Sequence, residues 1–383
     1  MNEFLRRFAV LPAATFLVVS AHSAVVLQDL PEPGLQPQTF VGADGTVHLI
    51  YLVGNPAAAD IQYRHRAVGA ESWSVPIRVN SGPTNAMAVG TVRGARLAVG
   101  GGGQVHVIWN GTRAEPPKTL YDAMGLFYSR LSAEGRSFEP ERDLSTSTHQ
   151  LDGGGAITAD AGGRVFIFWN AAPESKSGET NRAIFLAVST DQGKTFAAER
   201  NVSPSLVGAC SCCGMSAFAN PEGNLFVLFR DALRVTQRDM MLLTSSDHGL
   251  RFTERFSDPW PIGGCPMSTA AFSQSGTTTW ASWETDGIVY RCGFDARTFR
   301  QLGRPVAVSA KGGKHPFLVS NSKGQTLQVW TEGTGWQKGG TYSWELLDAS
   351  GRPTAERGKR NGIPAWSFAT AYALPNGDFV VLH

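Results

Sequence analysis

The segment GRVFIFWNA, residues 163–171, begins with a glycine, continues as an apolar run and ends in an aromatic and a polar residue. Related segments begin at Gly45, Gly103, Gly223, Gly276, Gly324 and Gly377. Short runs rich in β-branched and aromatic residues that follow a glycine turn are typical of buried strands. The chain is therefore a repeat of one β unit, and its pattern shows no helical period of useful length.

A second strand and a patterned turn follow the first strand in most units. The turns STDQGKTF (189–196) and SSDHGLRF (245–252) match one pattern, and degenerate copies end at Trp73, Phe138 and Phe299. The Asp and Ser side chains can bond the backbone of a tight hairpin, while Gly accepts an unusual φ and the aromatic residue packs beneath the turn.

The unit of about fifty to sixty residues and four strands predicts an all-β fold, a β-propeller with four-stranded antiparallel blades. Six full units and one half-unit, WSFATAYALPNGDFVVLH (366–383), leave six or seven blades open. The half-unit can complete a blade by pairing with VVLQDL (25–30). We expect residues 25–383 to form a single propeller domain.

Residues 1–24 have the features of a signal peptide. A basic start, MNEFLRR, precedes an apolar run and the small residues of AHSA, although an uncleaved membrane anchor is the alternative. No later segment predicts a transmembrane span, so we expect a secreted or periplasmic protein. Export permits disulfides, and an odd count of five cysteines leaves at least one unpaired, bound to a metal or paired between chains.

The charge balance excludes one class of partner. A net charge of +2 offers no basic surface for nucleic acid, and a hydrophobic content of 42% is that of a globular protein. We expect a monomer whose partner is a glycan or a small molecule.

The turns at 189–196 and 245–252 resemble the Asp boxes of the bacterial sialidase (neuraminidase) superfamily. The segments ACSCCGMSAF (209–218) and CPMS (265–268) resemble those of a subset of secreted Asp-box propellers. The resemblance implies a sialidase-like propeller, six-bladed in that family, and an exo-sialidase-like glycoside hydrolase if the chain is an enzyme. The family's Arg-Ile-Pro motif is missing, because LPEPGLQPQTF (30–40) contains no arginine, and no tyrosine has a motif that marks it as the nucleophile.

The innermost strand of each blade lines the channel, so the residues that precede it are candidates for a site. Stepping back nine to eleven residues from successive glycines gives Asp152, Cys213, Cys265 and His315, all metal-ligand types. Met215 and Met267 share strand faces with the two cysteines. Copper or zinc is therefore possible. The alternatives are a Cys213–Cys265 disulfide, inert cysteines, a turn-forming Asp152 and a backbone-bonded His315, while Cys210 and Cys212 can pair with each other or with Cys292.

The ends of the second strands return to the same mouth of the channel. Candidate catalytic residues are Asp152, Arg230, Asp231, Arg238, Glu284 and Glu332, and candidate ligand-binding residues are Arg182, Asp239, Trp336 and Trp366. Two carboxylates flanking a glycosidic bond would suit hydrolysis, and aromatic rings would suit stacking on a sugar. The four charged residues at 230, 231, 238 and 239 can instead form a network that holds loops.

Three functions are compatible with these patterns. The first is an exported propeller with a ligand site at one mouth of the channel, with glycan hydrolysis as its chemistry. The second is a copper- or zinc-binding propeller. The third is a non-catalytic scaffold whose cysteines are disulfide staples.

Overall fold

The computed structural model describes residues 23–113, 123–149, 151–173, 176–203, 208–232, 234 and 236–383. Their strands, numbered β1 to β28 in chain order, form seven sheets, so the propeller has seven blades rather than six. The inner strands of neighbouring blades contact one another in a closed ring around the channel. The predicted all-β propeller is confirmed. Short 3-10 turns within the described residues include Gly101–Gly103 and Glu179–Asn181.

Blades one to three contain, from inner to outer strand, β2 (Leu35–Val41), β3 (Val47–Asn55), β4 (Ala58–Arg66) and β5 (Ile77–Arg78); β6 (Arg96–Val99), β7 (Val105–Thr112), β8 (Met124–Arg130) and β9 (Arg142–Asp143); and β11 (Ala156–Ala159), β12 (Val165–Pro173), β13 (Ala183–Ser189) and β14 (Arg200–Asn201). A short extra strand, β10 (Thr148–His149), pairs with the end of β12.

Blades four to six contain β15 (Ser216–Ala219), β16 (Leu225–Arg230), β17 (Met240–Ser245) and β18 (Thr253–Asp258); β19 (Ala270–Ser275), β20 (Thr278–Thr285), β21 (Ile288–Asp295) and β22 (Gln301–Ala307); and β23 (Gly313–Ser320), β24 (Thr326–Glu332), β25 (Gly340–Leu347) and β26 (Pro353–Ile363). Within these six blades neighbouring strands are antiparallel, as predicted.

Blade seven joins the two ends of the described chain. It contains β27 (Thr370–Ala373), β28 (Phe379–Leu382) and β1 (Val25–Gln28), with β1 parallel to β28 and Val25 opposite Phe379. The predicted pairing of 25–30 with the last half-unit is therefore present, although this blade has three strands instead of four.

The second strand of blade three is apolar on both faces because it is covered from both sides. In β12, Val165, Ile167 and Trp169 pack in a cluster with blade two, whereas Phe166 and Phe168 pack in a cluster with blade four. Alternate side chains of a strand point to opposite faces, so an unbroken apolar run suits a strand between two neighbours.

The Asp-box turns hold their own hairpins as predicted. Asp191 Oδ1 accepts from the Ser189 hydroxyl at 2.7 Å and from Thr195 N at 2.9 Å, and Gly193 has a φ of 76°. The turn aromatic packs on a ring of the preceding blade, with the seventh preceding the first. These pairs are Trp73–Tyr372, Phe138–Tyr63, Phe196–Tyr128, Phe252–Phe168 and Phe299–Phe226. The box is thus a contact between blades as well as a turn.

Residues 1–22 lie outside the described part of the chain, so the signal peptide stays a prediction. Among the described residues, no helix has the length and apolar character needed to cross a membrane.

Candidate functional site

The loops that enter the inner strands lie at one end of the channel, which we call the rim. Counting back nine to eleven residues from the repeat glycine selected Asp152, Cys213, Cys265 and His315 in blades three to six. The same count gives Gln36, Arg93 and Trp366 in blades one, two and seven. Gln36, His315 and Trp366 have left-handed backbone, with φ values of 53°, 50° and 59°. Such conformations are uncommon outside glycine and concentrate at functional sites.

Adjacent rim loops contact one another. The Arg93 guanidinium forms an ion pair with Asp152 and its Nε also donates to the Asp152 carbonyl at 3.0 Å. Gly153 approaches the next loop so closely that a Cβ would lie 2.6 Å from the Cys213 carbonyl oxygen. Other junctions are Gly214 N to Ser268 O (3.0 Å), Lys314 Nζ to Pro266 O (3.1 Å) and Gln36 N to Ser367 Oγ (2.9 Å).

The channel is a cavity of about 580 Å³ bounded by the inner strands of all seven blades. Its wall consists mainly of apolar side chains and hydroxyl groups, and Asp, Glu and Lys are absent from it over the described residues. Arg96 of β6 is the charged side chain on this wall, and His315 lines it from blade six.

Arg96 and His315 differ in charge although both face the channel, where Arg96 is half-buried and His315 is buried. Burial lowers the pKa of Arg96 to about 10, so its guanidinium stays protonated at neutral pH. Burial, with Lys314 and Arg96 nearby, lowers the pKa of His315 to about 3, so this imidazole is neutral. Its Nδ1 lies 3.3 Å from the Thr269 hydroxyl. No ion pair found among the described residues includes Arg96.

Arg96 is not among the site residues predicted from the sequence. A charge that is partly withdrawn from water and has no counter-charge is unfavourable, so the guanidinium makes this end of the channel complementary to an anion. One feature of the sequence could have identified Arg96 as a site residue. It lies three residues after Arg93, at the start of the inner strand of blade two.

A small depression of about 40 Å³ lies at the mouth, and His315 borders both it and the channel. Trp336 and Trp366 line the depression with ring centroids 6.0 Å apart and ring planes at 75°. Trp336 is 58% exposed. Lys314 and Lys338 also line it, so the mouth combines two aromatic rings with two cations.

The cysteine-rich loop is buried at the rim, and it contains one end of a disulfide. Cys212 is bonded to Cys265, whereas the pairing considered from the sequence joined Cys265 to Cys213. Cys213 turns instead toward Cys210, with 3.2 Å between their sulfurs. Cys212 and Cys213 lie in a turn at residues 211–213, where the chain changes direction, so the two neighbouring side chains reach different partners. The Cys292 thiol is buried in blade five.

Cys213 has the more acidic of the two neighbouring thiols. Although burial opposes ionisation, the Cys210 hydrogen bond and the Arg230 guanidinium lower the pKa of Cys213 to about 7. The hydrogen bond to Cys213 and burial raise the pKa of Cys210. A proton is therefore held preferentially on Cys210.

The charged residues of blade four contact protein groups rather than the channel. Arg230 is buried and donates to Ser268 Oγ at 2.7 Å and to the Arg238 carbonyl at 2.6 Å. Arg238 forms an ion pair with Glu179 at 2.6 Å. These bonds match the loop-holding network, the alternative to a catalytic role.

The neighbouring acids also bond the backbone. Asp231 accepts from Asp239 N at 2.7 Å, and Asp239 accepts from Trp260 N at 2.8 Å. Burial raises the pKa of Asp231 to about 6. Arg182 is buried as well, and none of Arg182, Arg230, Asp231, Arg238 or Asp239 lines the channel or the depression.

The two predicted glutamates lie on blades five and six, and neither lines the channel or the depression. Glu284 is buried, accepts from Gly287 N at 2.6 Å, and has its pKa raised by burial. Glu332 forms an ion pair with Lys359 and accepts from the Trp330 indole at 2.9 Å. Asp152 is likewise paired, so the structure does not direct two carboxylates into a shared cavity.

The predicted metal ligands fall into two groups joined by Met267. Met215 and His315 line the channel, whereas Cys213 lies in the cysteine cluster. Met267 packs against that cluster and also lines the depression beside His315. Cys265, being bonded to Cys212, has no free thiol in this state.

No protein-family model matches the chain, and no curated protein matches it in sequence. Similar solved structures are sialidases and related propellers. A Hadza microbial sialidase has a TM-score of 0.53 at 11% identity, over 78% of this chain and 63% of that one. The Trypanosoma rangeli sialidase in complex with the inhibitor DANA has a TM-score of 0.52 at 11% identity, over 79% and 53%.

An α-L-arabinanase of Penicillium chrysogenum is similar over 83% of this chain and 94% of its own length, with a TM-score of 0.51 and 12% identity. The chain therefore spans less than two thirds of either sialidase but almost the whole arabinanase. At these identities the likeness establishes the fold, a sialidase-like propeller, and the function has to be argued from the site.

Proposed function

We propose that the rim end of the channel binds a small anionic ligand, an acidic sugar or short acidic glycan, and that the protein does so without cleaving it. The observation that carries the proposal is Arg96, a half-buried guanidinium on a channel wall that holds no carboxylate among the described residues. A ligand carboxylate would supply the missing counter-charge and could bond the guanidinium with two parallel hydrogen bonds.

The surroundings of Arg96 suit a sugar. Thr269 and His315 offer polar groups in the channel, and Trp336 and Trp366 offer ring faces at the mouth. Lys314 and Lys338 would attract an anion toward the depression. The similar structures described above are two sialidases and an arabinanase, which agrees with a carbohydrate ligand.

Binding is tested by calorimetric titration of the purified full chain with N-acetylneuraminic acid and galacturonic acid, beside the neutral galactose. Because a lost charged hydrogen bond costs about 1.5–3 kcal/mol, Arg96→Gln should weaken acidic-sugar binding by about tenfold to a hundredfold. The matched control is Arg297→Gln, an exposed arginine outside the channel, which should bind as the wild type does. Equal affinity for acidic and neutral sugars would remove the proposal.

Hydrolysis is the second candidate and needs a separate measurement. Its geometric requirement is a pair of carboxylates facing one sugar, and Asp152, Glu284 and Glu332 have the protein partners described above. Release of a fluorophore from sialyl, arabinosyl and galacturonosyl reporters, abolished by Glu284→Gln, would establish a hydrolase. Binding of the free acid without turnover of any reporter is the result that we expect.

A further inference from the structure

Four of the five cysteines converge at the rim between blades four and five. The Cys210 sulfur lies 3.2 Å from that of Cys213 and 3.5 Å from that of Cys212, and Cys212 is bonded to Cys265. Cys210, Cys212 and Cys213 are buried, and the Met267 side chain packs against them. Within the described residues, this is the one group of three or more potential ligands close enough to share a metal ion.

The sulfur spacing is close to that of a metal thiolate centre. A tetrahedral ion with metal–sulfur bonds of about 2.3 Å separates its sulfurs by about 3.8 Å, so small side-chain shifts would bring these cysteines onto one ion. Over the described residues, this group of potential ligands consists of thiols alone, and the Met267 thioether packs against it. Such a set selects thiophilic d10 cations over Mg²⁺, Ca²⁺ or Mn²⁺.

We propose that Cys210, Cys212, Cys213 and Cys265 form a binding site for a thiophilic d10 cation, Zn²⁺ or Cu⁺, that the Cys212–Cys265 disulfide closes. While the disulfide is intact, two thiols remain, which is too few for a closed four-coordinate site. Reduction supplies the other two ligands. This inference concerns a different part of the rim from the anion site and does not rest on it.

The opening step needs a dithiol reductant, and Cys265 gives it access because this residue is exposed whereas Cys212 is buried. A thiolate of the dithiol attacks the Cys265 sulfur and expels the Cys212 thiolate. The second thiol of the reductant then attacks the mixed disulfide, becomes oxidised with the first, and releases the Cys265 thiolate. Two electrons and two protons pass to the protein, and the ion later displaces thiol protons to solvent.

The test compares two states of the full-length wild-type chain, so it does not depend on a variant that folds. Protein as purified and protein reduced with dithiothreitol, freed of reductant under anaerobic conditions, are each titrated with Zn²⁺ and with Cu⁺ against a chromophoric chelator. We expect one ion per reduced chain, bound at least about tenfold more tightly than by the oxidised chain. Equal binding by the two states, or none by the reduced state, would overturn the proposal.

A pair of variants locates the site. Cys210→Ser should lose about tenfold or more of the affinity of the reduced protein, whereas Cys292→Ser, which removes a thiol in blade five, should keep it. Equal losses in the two variants would place the ion elsewhere and contradict the assignment. Thermal unfolding of both variants checks that each is folded before titration. Acidic-sugar binding should be unaffected by either ion, so failure of one proposal leaves the other measurable.

Discussion

Arg93 and Asp152 stand at equivalent positions of neighbouring blades, and their side chains form an ion pair across the junction between blades two and three. Their side chains are 16% and 24% exposed, so the pair is partly shielded from solvent. The Asp152 carboxylate is consequently committed to a protein partner. This relationship favours the structural role of Asp152 over the catalytic role expected from the sequence.

Asp152→Asn should lower the free energy of unfolding by about 1–3 kcal/mol, because the guanidinium keeps its position and loses its counter-charge. Urea unfolding at neutral pH measures the change. Asp286→Asn is the control, since the Asp286–Lys311 pair is largely exposed and its removal should change stability by less than about 0.5 kcal/mol. Unchanged stability together with lost ligand binding would return Asp152 to the functional site.

Phe252→Ala should destabilise the propeller at the contact between blades three and four. The Phe252 ring packs edge-on against Phe168 at 5.8 Å, and its partial burial makes a loss of about 2–3 kcal/mol reasonable. Thermal or urea unfolding would report it. Leu250→Ala in the same turn removes a side chain that is 73% exposed and should be nearly neutral. Equal effects of the two variants would mean that the turn aromatic has no part in joining blades.

Acidification should destabilise the protein through His315. The folded pKa of about 3 lies below the ordinary value of 6.5, so the unfolded chain binds a proton that the folded chain refuses. Stability from this group is complete above pH 6.5 and falls as the pH decreases toward 3, by roughly 1.5 kcal/mol between pH 6.5 and 5. His315→Gln should remove that part of the pH dependence, as measured by urea unfolding across this range.

Other groups bear on that measurement. His106 and His48, with pKa values lowered by burial to about 3 and about 4, act in the same direction as His315. Asp231 acts oppositely, because its folded pKa of about 6 exceeds the ordinary 3.8 and stability rises as the pH falls through this interval. The comparison is therefore between variant and wild type. Parallel pH profiles for the two proteins would contradict a neutral, buried His315.

Alkylation should count three free thiols and one disulfide. Cys210, Cys213 and Cys292 are buried thiols, so they should resist labelling in the folded protein and react when it is denatured without reductant. Full reduction should raise the count to five. Peptide mapping should recover Cys212 linked to Cys265. A denatured count of one, with Cys210 joined to Cys213, would show a second disulfide and contradict this thiol arrangement.

Local patterns were sufficient for the fold. The apolar run of β12 and the Ser189–Gly193 turn specify their own conformations, since each depends on neighbours within a few residues. The blade number depended on a longer relationship, the pairing of β1 with β28, which a count of repeats could only favour. The repeat glycines also allowed the rim residues to be predicted. In each blade, the residue nine to eleven positions before the glycine lies at the rim end of the channel.

The site was less predictable because side-chain partners come from other blades. Nothing near Arg230 in sequence signals that it donates to Ser268 in the next blade, and Glu332 is paired by Lys359 on the outermost strand of its own blade. Arg96 was missed for the converse reason, since what distinguishes it is the lack of an acid on the channel wall over the described residues. Cys212 and Cys213 are adjacent in sequence, so spacing could not show which of them is bonded to Cys265. The direction of the backbone at these two residues decides it.

The parallel pairing of Val25–Gln28 with Phe379–Leu382 makes one sheet depend on residues about 350 positions apart, whereas the other six sheets are assembled from consecutive segments. Closing so long a loop concentrates entropic cost in one step, while hairpins within a blade can form early. The order of assembly that follows is local blades first and circular closure last. Until the final strand docks, blade one and the β27–β28 hairpin each present an uncovered flank, and the incomplete circle is the species most exposed to self-association.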